Sequence, residues 1–110
     1  MDLDASGAVK LGAAWLDVRK PGWFDLVDLA VLNMDDTDSC VAGQVFASEA
    51  ERGMLPDGYW YARQILWEES PKEDAYSPVC RYGFVPTDTE LFSDLWTAEI
   101  EARRTVSVSV

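Results

Sequence analysis

The side chains able to do chemistry in this sequence are few in kind. Cys40 and Cys80 are its two thiols, and the chain has no histidine. Without imidazole the commonest general base, metal ligand and pH switch is missing. Neither a Ser-His-Asp nor a Cys-His hydrolase can be assembled, so acid–base work would fall to carboxylates, lysine, tyrosine or thiol. Two isolated cysteines without CxxC spacing do not make a zinc site. One disulfide is the most they could form, and packing as small apolar residues is their expected role. Cys40 stands where a helix is expected to begin, a position that can lower a thiol's pKa, but no base lies near it in sequence.

The acidic run Asp35-Asp36-Thr37-Asp38-Ser39 invites a calcium reading. A loop of the EF-hand type starting at Asp36 needs glycine at its sixth position and glutamate at its twelfth. Val41 and Ala47 stand there, so the run is read as helix-capping polar residues instead. Paired carboxylates could serve glycoside chemistry, yet nothing selects one pair among 20 acids. No GxGxxG or Walker motif is present to cradle a phosphate. No catalytic residue, metal site or cofactor is therefore expected.

The remaining features point to surfaces. The 20 acidic against nine basic residues leave a net charge of −11, which repels nucleic acid and anionic membranes and attracts basic proteins. Five tryptophans in 110 residues are more than one small core holds easily. They include two in GYWYARQILW, residues 58–67. Trp60, Tyr61 and Trp67 are the expected partner-binding anchors, and Glu90, Asp94 and Glu101 form an acidic stripe on the last helix. Aromatic anchors with carboxylates that steer are typical of protein interfaces.

The elements that must position these residues follow from spacing. A well-buried helix is expected over Ala8–Val18, capped by Asp4 or Ser6 and stopped by Pro21-Gly22. Trp23–Leu29 reads as an irregular helical turn. A second helix is expected from about Ser39 to Arg52, with Gly53 as its stop and Pro56-Asp57-Gly58 as a turn. For 59–67, aromatic density favours a strand while Ala62, Arg63 and Gln64 favour a helix. The helix is preferred, with Trp60, Arg63, Gln64 and Trp67 on one side and Tyr59, Ala62 and Leu66 on another. Residues 68–82 read as an exposed loop with a short helical turn near 78–82. Thr87 and Glu90 form a capping box for a final helix to about Arg104. Its inner side is expected to carry Leu91, Leu95, Ala98 and Ala102, flanked by Phe92, Trp96 and Ile100. TVSVSV, residues 105–110, is a short strand or, preferably, a frayed tail.

The expected fold is mainly α, a compact single domain of three to five helices over residues 1–110. Its core should hold Trp15, Leu16, Leu29, Leu32, Val41, Val45, Leu91, Leu95 and Ile100. Met1-Asp2-Leu3-Asp4 lacks the basic start of a signal peptide. No apolar run approaches the roughly 18 residues of a membrane helix. A cytoplasmic protein with reduced thiols and no membrane insertion is expected.

Three stretches carry a likeness: GAAWLDVRKPGWFDLVDLAVLNM, CVAGQVF and YGFVPTDTELFSDLWTAEIEARR. They resemble a group of small uncharacterised proteins of actinobacteria and their phages. That group shows a helix ending in Leu-Asp, a Pro-Gly-Trp turn, an Ile-Asp-Leu segment and a Cys-Val-Leu-Gly-Gln helix start. A Gly-Phe turn and a final helix ending in basic residues follow. The matching positions here are Leu16-Asp17, Pro21-Gly22-Trp23, Val27-Asp28-Leu29, Cys40–Gln44, Gly83-Phe84 and Trp96–Arg104. About half the chain is covered. Ala42 replaces the usual leucine, and the block 59–67 has no counterpart. The resemblance implies a small α-rich domain in a phage or prophage setting. Together these readings lead to the expectation of a non-enzymatic acidic binding protein that docks on a host protein with a basic surface. The alternative is a DNA mimic that inhibits a nucleic-acid-binding enzyme or defence complex. Direct nucleic-acid binding is not expected from either.

Overall fold

Helix α1, Ala5–Arg19, sets the first face of the core by turning Ala8, Val9, Gly12, Ala13 and Leu16 inward, the repeat of three and four that a buried helical stripe requires. It belongs to a computed structural model that describes residues 5–69, 77–85 and 88–108. A 3-10 turn, Trp23–Leu26, follows, where the sequence predicts an irregular turn. Then come α2 (Val41–Val45), α3 (Ala47–Arg52), α4 (Gly58–Glu69), α5 (Ser77–Arg81) and α6 (Thr89–Val108). No strand occurs among the described residues, and the protein is mainly α as the periodicity implies. Three helices exceed three turns: α1, α4 and α6. The short ones bring the total among the described residues to six, because the helix expected over 39–52 is broken at Phe46.

That break has a physical cause. Phe46 leaves the helical region, with φ −105° and ψ 19°, and its ring turns inward to 2% exposure. Lys20 reaches across from the end of α1, its ammonium over the Phe46 ring and hydrogen-bonded to the Val45 carbonyl and the Glu49 carboxylate. A long-range cation thus satisfies a carbonyl where the helix ends, as helix C-termini favour.

The centre is aromatic. Trp96 is fully buried, stacks on Phe84 at 5.5 Å and meets Trp23 edge-on at 5.8 Å. Its indole N–H donates to the Gly83 carbonyl at 2.9 Å. Helix α1 can approach Trp96 this closely because residue 12 is glycine. A methyl there would fall 2.0 Å from the Tyr82 carbonyl oxygen and 2.9 Å from the Trp96 ring. A polar clamp closes the same side. The two carboxylate oxygens of Asp17 accept from Arg103 at 3.0 and 2.9 Å, and one also accepts from the Trp23 indole at 2.9 Å. The Arg103 guanidinium holds the Asp17 carboxyl below its ordinary value.

The structure corrects the phase of α6. Its buried positions are Phe92, Trp96 and Ile100, whereas Leu91, an expected core residue, is 45% exposed. Ala98 and Ala102 are exposed as well, and Leu95 is half-buried. Two apolar arcs compete on this helix, and the arc holding two aromatic rings buries far more area per residue. Of the other expected core residues, Leu16, Val41, Val45 and Ile100 are buried, while Trp15, Leu29 and Leu32 pack partly buried against them. The N-cap is also shifted. The Asp88 carboxylate accepts from the Leu91 amide at 3.1 Å, and Thr87 lies outside the described residues. At the other end α6 continues through Val108, so 105–108 are helical rather than strand or tail. The Thr105 hydroxyl donates to the Glu101 carbonyl at 2.9 Å, a local bond that threonine makes readily within helices. Ser6 lies inside α1, and Asp4 is outside the described residues.

Helix α4 packs on α2, α3 and α5, while α6 packs on α1 and the 3-10 turn. The radius of gyration, 13.1 Å, matches the ~13 Å of a compact body of this length.

Candidate docking surface

The surface built around α4 begins with the turn that launches the helix. Helix α3 ends in a Schellman motif: the Leu55 amide donates to the Ala50 carbonyl at 2.9 Å and the Met54 amide to the Glu51 carbonyl at 3.2 Å. The left-handed residue this motif requires is Met54, at φ 59°. The glycine before it, Gly53, has φ −86°. Gly53 is thus the stop expected for this helix, as its C-cap, while the left-handed position after it is occupied by a residue with a side chain. That side chain is 92% exposed.

Asp57 then caps α4. One carboxylate oxygen accepts from the Trp60 amide at 3.2 Å, and the other accepts from the Thr37 hydroxyl at 2.6 Å. Gly58 lets the helix settle against α2, since a methyl there would lie 2.5 Å from the carbonyl oxygens of both Ala42 and Gly43. With its start fixed, α4 buries Gly58, Tyr59, Ala62 and Leu66. Residues 59–67 are helical, and the opposite side carries Trp60, Arg63, Gln64 and Trp67. With Leu55 these four line a hollow of about 280 Å³. Trp60 and Trp67 are 41% and 44% exposed, and the Arg63 guanidinium lies over the Trp60 ring at 4.7 Å.

The five indoles divide by their N–H groups. Those of Trp15, Trp23 and Trp96 donate to Glu69, Asp17 and the Gly83 carbonyl respectively. Those of Trp60 and Trp67 donate to no group among the described residues. A half-wet indole with an uncommitted donor has one apolar and one polar contact to offer.

The third expected anchor lies deeper than the other two. Tyr61 is half-buried, with its ring 5.3 Å from that of Phe46, because it sits on the flank of α4 that faces α3. Sequence reasoning missed Leu55 as part of this lining, since it lies in the turn between α3 and α4 rather than on the helix itself.

Glu90, Asp94 and Glu101 are all exposed along α6, and none is ion-paired among the described residues. They stand on α6, which packs chiefly on α1 and the 3-10 turn, whereas the aromatic anchors stand on α4, which packs chiefly on α2, α3 and α5.

Cys40 behaves oppositely to a reactive thiol at a helix start. It is the N-cap of α2: its sulfur accepts from the Gly43 amide at 3.3 Å and donates to the Thr37 carbonyl at 3.7 Å. Burial pushes the thiol up to about 11, reversing the lowered value that its position alone suggested. It borders a small hollow of about 200 Å³ with Met34, Asp35, Thr37, Tyr59, Phe84 and Val85. No disulfide joins Cys40 to Cys80. The acidic run beside it is organised by Asx turns, Asn33 accepting from the Asp35 amide and Asp36 from the Asp38 amide, both at 2.9 Å. Among the described residues no group of three or more acids or cysteines is arranged to hold a metal ion, and no helix is long and apolar enough to cross a membrane.

No family model, curated protein or solved structure matches this chain.

Proposed function

We propose that this protein is a non-enzymatic binding protein, phage-encoded, that docks on a cytosolic host protein through the outer face of α4 and modulates or inhibits it. The observation that carries this reading is the division of the indoles. Three have their N–H groups bonded within the chain, while Trp60 and Trp67 are held on one helix face, half-exposed and with donors uncommitted among the described residues, beside a shared hollow. Tryptophan in such a setting is the residue most often found to dominate interface energy. Met54 adds to it. A non-glycine residue in the left-handed region is destabilising, and a strained backbone that displays a bare hydrophobic side chain is a feature of functional surfaces. The negative charge would speed encounter with a basic partner without supplying most of the affinity.

The test is capture from an actinobacterial lysate with wild-type and Trp60→Ala, Trp67→Ala baits, followed by direct binding of the purified partner. A partner held by wild type, lost from the folded double variant and retained in high salt supports the reading. Equal retention by both baits counts against it.

A second reading rests on Glu90, Asp94 and Glu101, exposed along α6 and not ion-paired among the described residues. In that reading the protein imitates nucleic acid and inhibits a DNA-binding enzyme or defence complex. Binding would then be strongly salt-sensitive, competed by DNA and damaged by neutralising these three residues, with Trp60 and Trp67 dispensable.

A further inference from the structure

Leu55 is a ridge between two hollows of opposite character. On one side lies the indole-lined hollow of Trp60 and Trp67. On the other lies a hollow of about 250 Å³ whose charged lining is Asp38, Glu51 and Asp57. No lysine or arginine borders this second hollow, and none of the three carboxylates is ion-paired among the described residues. Asp57 has hydrogen bonds from Thr37 and Trp60, but these leave its charge in place. Five of the nine basic residues are engaged elsewhere. Arg19 pairs with Glu69, Lys20 and Arg52 with Glu49, and Arg103 with Asp17 and Glu99. Arg104 donates to the carbonyls of Phe24 and Val27. The acidic hollow is thus unrelieved from within.

From this juxtaposition, and resting on the docking role of the α4 face, we infer that the partner presents a peptide segment with a bulky apolar side chain close to a lysine or arginine. The apolar group enters between Trp60 and Trp67 while the cation enters the hollow of Asp38, Glu51 and Asp57, with Leu55 beneath the chain that joins them. Other occupants fit less well. A nucleic acid or an anionic lipid would set phosphates against three carboxylates. A second copy of this chain brings a net charge of −11, which opposes its approach to an acidic hollow. An apolar segment without a cation would leave the carboxylate hollow idle and gain nothing from the encounter field.

The experiment selects a displayed random peptide library on the intact protein. The enriched peptides are then titrated, as synthetic fluorescent probes, against wild type, Trp60→Ala/Trp67→Ala and Asp38→Asn/Glu51→Gln. Asp57 is left intact because it caps α4. Asp38 and Glu51 are exposed, so their neutralisation leaves the fold in place, which thermal melting verifies. The expected peptides carry Leu, Phe or Trp within one helical turn of Lys or Arg. The carboxylate double variant should bind them about fivefold more weakly at low salt, a difference that closes near 1 M salt. Loss on Trp60→Ala/Trp67→Ala with unchanged binding by Asp38→Asn/Glu51→Gln overturns this inference and leaves the docking face standing. Selected peptides without basic residues do the same. Binding insensitive to both double variants removes the docking face itself, and so does a failure to enrich any peptide.

Discussion

Replacing Met54 by glycine should stabilise the protein while removing a side chain. Met54 holds φ at 59°, where an L-residue is disfavoured by about 1–2 kcal/mol. Glycine lifts that strain, and its extra freedom in the unfolded chain takes back about 0.4–1 kcal/mol. The lost side chain contributes almost no burial, since Met54 is 92% exposed. The net expectation is a gain of about 0.5–1 kcal/mol, which corresponds to a melting temperature higher by roughly 2–4 °C in a domain of this size. Met54→Ala is the control. It removes the same thioether and keeps the β-carbon that makes the left-handed region unfavourable, so its stability should stay within a few tenths of a kcal/mol of wild type. Urea denaturation of the three proteins, with equal m-values, measures the difference. Equal stability of the glycine and alanine variants, or a loss on Met54→Gly, refutes the assignment of strain to this residue. In a partner-binding assay the two variants should weaken binding alike. Opposite signs for stability and binding in Met54→Gly are what an exposed contact on a strained turn requires.

The remaining predictions concern the supports of that surface. Gly58→Ala puts a methyl 2.5 Å from two backbone carbonyl oxygens and should destabilise by about 1–3 kcal/mol in urea unfolding, since neither neighbour is a flexible side chain. Asp17 has its pKa lowered, chiefly by hydrogen bonding from Arg103. Its contribution is therefore fully present above the ordinary carboxylate range and is lost as pH falls through the depressed value. Asp17→Asn should be less stable than wild type by about 0.5–1 kcal/mol at neutral pH, a modest figure because the carboxylate is partly exposed, and acid denaturation curves of the two should converge below pH 4. With its thiol raised to about 11 by burial, Cys40 should react with Ellman's reagent at pH 8, in a Cys80→Ser background, no faster than the protein opens. Rapid labelling under native conditions would contradict its burial.

What could be read in advance depended on whether a local pattern had a competitor. In α4 the alternatives were a helix and a strand. Once helical, Trp60, Arg63, Gln64 and Trp67 can only share a side, because their spacings of three, four and seven fall on one stripe. Tyr61 is 300° from Gly58 by the same geometry, on a flank whose burial is decided by the Phe46 ring at the break between α2 and α3. In α6 the stripe of Leu91, Leu95, Ala98 and Ala102 and the stripe of Phe92, Trp96 and Ile100 both satisfied the helical period. The choice belonged to Trp23, Phe84 and the bare backbone of Gly12, which no local window contains. The break at Phe46 depends on Lys20, 26 positions away. Cys40 illustrates the same limit for chemistry: position at a helix start suggests a low pKa, while the packing that raises it comes from distant segments. The end of α3 at Arg52 with Gly53 as its cap was legible, but the left-handed conformation of Met54 was not, because glycine is the usual occupant of that position.

The central claim is that Trp60 and Trp67 are outward because a protein partner covers them. Its most direct test is the dissociation constant of the purified partner for wild type and for Trp60→Ala/Trp67→Ala, each shown by melting to be folded. Two interface tryptophans of the kind that dominate binding, at about 2 kcal/mol or more apiece and not fully additive, predict a weakening of at least roughly thirtyfold, and the difference should persist in high salt. A folded double variant that binds with the wild-type constant would contradict the account.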